Sequence, residues 1–215
     1  AIGGGGGGQT EQGPPSIAEI KSTLGSFVTP TTTAKPELKD AEPESPGVTV
    51  TPVETQLVNT ISFDTEELSG SMKITEYTDP PSLVRERISE SISGTDSVSV
   101  GGENAENSDT LDVISVANIK PTTEQAEESA ATVRLRLDKS RVENSQQLTV
   151  IKEFYDFEAQ TTRWKRLDTT VESTGSDTVT ISAQVEDFSL FAVTEIPQQQ
   201  QPTDDEVQQR DEQQQ

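Results

Sequence analysis

Apolar and polar residues alternate along the middle of this chain instead of recurring every three or four positions. Val133, Leu135 and Leu137 are separated by Arg134 and Arg136, and Val179, Ile181, Ala183 and Val185 by Thr180, Ser182 and Gln184. A period of two puts successive side chains on opposite faces of extended backbone, so both segments read as strands with one wet face. Further runs at 48–53, 60–64, 71–77, 111–119, 148–155 and 189–194 bring the expected total to about eight strands. In 111–119 and 148–157 the apolar residues occupy both phases, as in central strands covered on two sides. Turn signals fall between these runs at Ser69-Gly70, Gly101-Gly102 and Gly175-Ser176-Asp177.

Two segments depart from the alternation. Pro80-Pro81-Ser82 precedes Val84, Ile88 and Ile92, spaced by four and closed by Gly94, which predicts one short helix. Ile17, Ile20, Leu24 and Phe27 also recur at helical spacing behind Ser16, a suitable N-cap. So short an amphipathic stretch does not hold alone. It reads as a transient helix, as an edge laid on the domain, or as a docking element for a partner.

Short strands without alternating helices favour two packed antiparallel sheets over a doubly wound fold. The expected fold class is all-β: an antiparallel β-sandwich of immunoglobulin-like architecture with one short helix and disordered termini. Residues 47–195 form that sandwich domain. Residues 1–46 read as a linker, because 3–8 is a hexaglycine, Pro14-Pro15 follows, and 30–46 holds four prolines among Thr, Lys and Glu. Residues 196–215 contain nine Gln among 20 residues and read as a disordered tail rich in Gln and acid.

Composition sharpens this picture. Of 215 residues only 29% are hydrophobic, and 38 acidic side chains face 16 basic ones for a net charge of −22. The segments 1–46 and 196–215 carry −3 and −4, so −15 remains in 47–195. The acidity therefore belongs to the expected domain. It disfavours nucleic acid and anionic headgroups as partners, and no run approaches the ~18 apolar residues of a membrane span. With no Cys and no His, disulfides, zinc sites built from either residue and any imidazole-based nucleophile are excluded.

Little candidate chemistry survives. The polyglycine satisfies a dinucleotide fingerprint without the strand and helix that give it meaning, and Asp204-Asp205-Glu206 reads as a solvated charge run, not a calcium loop. No catalytic, cofactor or metal residue is assigned, and no enzyme activity is expected. Phe154, Tyr155, Phe157, Trp164, Phe188 and Phe191 read as core, with a ligand platform as the other reading. Arg163, Lys165 and Arg166 around Trp164 read as wet-face charges paired with acids on a neighbouring strand, with an anion site as the other. In the closing run, Phe188 and Phe191 lie on opposite phases; Phe191 is expected between the sheets and Phe188 at the strand's entrance, over the core's rim.

The stretches ATVRLRLDKSRVEN, LTVIKEFYDFEAQTTRWKRLDTTV and VTISAQVEDFSLFAV carry a resemblance. Behind a glycine run and a Pro/Thr spacer, they resemble the PGF-pre-PGF domain of archaeal cell-surface proteins, well over 110–194 and weakly over 47–109. The matching positions are Ser140, Tyr155, Trp164, Leu167, Thr169, Phe188, Ser189, Phe191 and Ala192. Arg141 stands where the family usually has Trp, and Glu186-Asp187 replace its Pro-Gly. The resemblance implies a family-motif core of Tyr155, Trp164, Leu167, Phe188 and Phe191. It also implies a non-catalytic structural or spacer module of an exported protein at the cell surface, whose partners are the other domains of that protein or envelope components. The alternative is an adhesin or carbohydrate-binding sandwich with Trp164 and Tyr155 on an exposed sheet. A halophilic source fits the acidity, since molar salt shortens the screening length to ~3 Å.

Overall fold

The computed structural model describes residues 15–26, 31–35, 37–38, 47–65, 68–93, 112–124, 129–158 and 160–195. Among these residues twelve strands are divided between two layers: β1 (Thr31–Ala34), β2 (Glu37–Leu38), β3 (Val48–Val50), β4 (Val58–Phe63), β5 (Met72–Tyr77), β6 (Asp112–Pro121), β7 (Ala131–Asp138), β8 (Leu148–Asp156), β9 (Thr161–Arg166), β10 (Thr169–Thr174), β11 (Thr178–Val185) and β12 (Leu190–Glu195). One sheet has the order β1-β5-β6-β12-β8-β9 and the other β10-β11-β7-β4-β3-β2. All pairings are antiparallel. This is the two-sheet antiparallel sandwich that the alternation predicts, with more strands than the seven to nine of an immunoglobulin domain.

The space between the sheets is the main core. β7 sends in Ala131, Val133, Leu135 and Leu137, β11 sends in Val179, Ile181, Ala183 and Val185, and they meet Ile74, Ile114, Ile119, Val150, Phe191 and Val193 from the opposite sheet. The β10-side sheet turns its other face to solvent, hence its clean alternation.

The β1-side sheet is covered on both faces. Its far side carries two helices, α1 (Ile17–Gly25) and α2 (Ser82–Ser93), where the sequence predicts one. Ile17, Ile20 and Leu24 of α1 and Val84, Ile88 and Ile92 of α2 pack on Val113, Val116, Ile151, Trp164, Leu190 and Ala192. This second core explains the apolar residues on both phases of β6, β8 and β12. In β6 the two faces are also shifted by a bulge: Val193 pairs with Ser115 but Thr194 with Val113, so Ile114 is the extra residue.

Within 1–46, expected as linker from its composition, the described residues join the fold. α1 opens with a capping box in which Ser16 and Glu19 satisfy each other's backbone N–H. Tertiary contacts supply what so short a helix lacks: Tyr77 donates its hydroxyl to the Leu24 carbonyl at 3.0 Å, and Lys21 Nζ reaches Glu153 Oε1 on β8 at 2.7 Å. β1 pairs with β5 and β2 with β3. The hexaglycine, Gly101-Gly102, the acidic run at 204–206 and the tail 196–215, with the disorder expected of the termini, lie outside the described residues.

The Ser69-Gly70 signal is a true turn. Gly70 has φ +94°, and an added Cβ would come within 2.6 Å of Thr123 Cγ2, so glycine is required both by the backbone and by the close approach.

Candidate functional site

Five of the nine positions that carry the resemblance, Ser140, Leu167, Thr169, Phe188 and Ser189, lie at connections where the chain crosses from one sheet to the other. After β7, Asp138 accepts from the Ser140 backbone N–H at 2.9 Å and from its hydroxyl at 2.7 Å, turning the chain through the first of two 3-10 turns that lead to β8. These two donors hold the Asp138 carboxyl below the usual carboxylate range, the hydroxyl contributing most. Between β9 and β10, buried Leu167 gives its N–H to the Val150 carbonyl at 2.9 Å. Thr169 then accepts the Val150 N–H at 2.9 Å and donates to the Leu167 carbonyl at 3.0 Å. Between β11 and β12, Phe188 lays its ring against Phe63, centroids 5.7 Å apart, and Ser189 donates to the Glu153 carbonyl at 2.7 Å. Phe191, 2% exposed, lies between the sheets, and Phe188 sits at the core's rim just before β12.

Trp164 has no exposed surface. It lies under α2, where its indole N–H donates to Ser91 Oγ at 3.2 Å. Tyr155 departs from the expected motif core: it is 50% exposed, near the end of β8 and beyond the helical cover. Its ring meets Phe157, itself 83% exposed, edge to face at 5.0 Å. Phe157 is likewise no core residue. The expected platform of Trp164 beside Tyr155 is therefore not formed; the exposed pair is Tyr155 with Phe157.

Two carboxylates do work that no spacing in the sequence signals. Glu76 on β5 accepts the backbone N–H groups of Gln56, Leu57 and Val58 and so ties one sheet to the loop entering β4 of the other. Glu195, closing β12, accepts from Glu143 at 2.7 Å and Asn144 at 3.1 Å in the β7–β8 connection. Loop amides that lack a ladder partner need such acceptors.

The charged residues around Trp164 divide. Arg163 pairs with Asp156 across the β8–β9 hairpin at 3.2 Å, as wet-face charges do. Lys165 and Arg166 line a cleft of about 470 Å³ at the open edge between the sheets, with Lys152, Asp64, Asp168 and Glu186 also in its walls. Lys152 points inward on the Val150 side of β8, is only 6% exposed, and its Nζ is in direct contact with Asp187 Oδ1. Burial first, and then the Lys165 charge, push its ammonium below the ordinary lysine range; Glu186 and Glu153 oppose them.

Among the described residues no group of three or more acidic side chains converges on a possible metal position, and no helix is long and apolar enough to cross a membrane. The geometry thus defines a two-sheet antiparallel sandwich with a helical layer, sheet-crossing connections fixed by side chains, and a charged cleft at the edge between the sheets. The chain matches no family model, no curated protein and no solved structure.

Proposed function

We propose that this chain is a non-catalytic structural or spacer module of an exported archaeal cell-surface protein, working outside the cell among the other domains of that protein or the envelope. One observation carries the reading: the residues behind the resemblance, Tyr155 apart, are spent on architecture. Ser140, Leu167, Thr169, Phe188 and Ser189 fix three sheet crossings, and Trp164 joins the helical layer to the sheet. A motif that holds layers together suits a module whose task is to keep its shape and length. Net −15 over 47–195 supports a surface exposed to concentrated salt. The test is surface labelling of intact host cells expressing the tagged full chain within its parent protein: modification by a membrane-impermeant amine reagent supports the reading, and protection until lysis sinks it.

The exposed Tyr155–Phe157 pair favours a second reading, an adhesin or carbohydrate-binding module, since rings standing on a hairpin can stack on sugar faces. Retention on immobilised glycans that disappears in Phe157→Ala would favour it over the spacer.

A further inference from the structure

We propose that Lys152 and Asp187 are joined by an intramolecular amide bond that covalently staples β8 to the turn preceding β12. Three observations carry it. Lys152 is buried between the sheets although lysine is almost never buried without a specific partner. Its Nζ meets Asp187 Oδ1 directly. A further carboxylate, Glu186, lines the same cleft and adjoins Asp187 in sequence.

The chemistry balances without an added reagent. Starting from the ion pair, the ammonium passes one proton by way of Glu186 to the Asp187 carboxylate, and the free amine attacks Cγ of the neutral acid. The Nζ–Cγ bond forms, Nζ gives up its second proton, which Glu186 relays to the hydroxyl, the bond from Cγ to that oxygen breaks, and the oxygen leaves as water with both protons lost by Nζ. Nothing is oxidised or reduced. Amide formation is unfavourable between free groups in water, but two groups held in contact react with effective concentrations of roughly 10⁵–10⁸ M. Desolvation and the Lys165 charge favour the neutral, nucleophilic amine. The Asp187 side chain is 55% exposed, which leaves the departing water a path out.

The staple does not depend on the spacer reading, but it would serve a spacer well. Force applied along the chain would pass from Lys152 to Asp187 and bypass β9, β10 and β11.

Intact-mass measurement of the folded full chain tests it. The wild type should be lighter than its composition by one water, Lys152→Arg should have full mass, and Asp187→Asn should lose ammonia instead of water. Protease digestion of the wild type should yield one branched peptide joining the two residues. Full mass in the folded wild type overturns the proposal whatever the variants do. So does a missing water without the branched peptide, because cyclisation of Asp187 onto its own backbone would give that mass.

Discussion

Truncating Trp164 tests whether the helices are an integral layer of this fold. A buried Trp removes about 150–250 Å² from water, and at roughly 25 cal/mol per Å² that is on the order of 4–6 kcal/mol. The alanine variant keeps Cβ but leaves a cavity under α2, so the expected loss is ~3–5 kcal/mol, a large share of a typical total of ~5–15 kcal/mol. The hydrogen bond to Ser91 allows a finer test. Ser91→Ala leaves a buried indole N–H without its acceptor and should lose ~1–3 kcal/mol, whereas adding Ser91→Ala to Trp164→Phe should lose less than the sum of the two, because no donor is then stranded. Urea unfolding is best followed by far-ultraviolet circular dichroism, since Trp164 is the chain's single Trp and the variants lose its fluorescence. Native wild-type emission typical of a solvated indole, or a loss below ~1 kcal/mol in Trp164→Ala, would refute the helical layer.

Four further outcomes follow from the geometry. Phe191→Ala should lose ~3–5 kcal/mol in urea unfolding and Phe188→Ala visibly less, because the second ring caps the rim; equal losses would contradict the placement. Glu76→Ala removes the acceptor shared by three loop amides and should lower stability by ~1–3 kcal/mol, with hydrogen exchange at Gln56, Leu57 and Val58 accelerating first; unchanged exchange there would remove the clamp. Asp138 and Glu19 are held below their unfolded pKa values by Ser140 and Ser16 respectively. Their contribution is therefore complete above the ordinary carboxylate range and fades as pH falls through the lowered folded values; the acid limb of stability against pH should flatten in Asp138→Asn with Glu19→Gln, and an identical limb would refute it. If the domain's excess negative charge opposes folding, the urea midpoint should climb between roughly 0.1 and 1 M chloride as the screening length falls from ~10 to ~3 Å, and a flat midpoint would end the halophilic proposal.

How far the sequence could be read depended on whether a residue's role was local. β7 and β11 were legible because each buries one face and wets the other. β6 and β8 showed a two-sided pattern, which reveals that something covers the second face but not what. α2 announced itself by Val84, Ile88 and Ile92, whereas the N-cap Ser16 and the apolar stripe of α1 were visible but inconclusive, because the contacts that hold it come from Tyr77 and Glu153. β10 is an edge strand of Thr, Glu and Ser with little buried surface, so no apolar period marked it. Tyr155 misled because alternation continues to the end of a strand after the cover over it has stopped. Glu76 and Glu195 act on loops 18 to 20 and 51 to 52 residues away, a relation carried by no motif. Lys152 did leave a signal, a single lysine inside the apolar run LTVIKEF.

These differences have one physical origin, which also bears on what the resemblance means. Inside a sheet the ladder satisfies the backbone, and many side chains of suitable size can fill a given place. Where the chain leaves one sheet for the other, N–H and C=O groups lose their ladder partners, and side chains can replace them. Asp138 with Ser140, Thr169 over Val150 and Ser189 on Glu153 are three solutions to that one problem, with Leu167 and Phe188 closing the apolar rim beside them. A short motif of small polar and large apolar residues is thus what the crossings of a two-sheet fold require, and it constrains shape before it constrains activity. The positions free of that duty, the Tyr155–Phe157 pair and the Lys152–Asp187 contact, are where a function peculiar to this chain has room to reside.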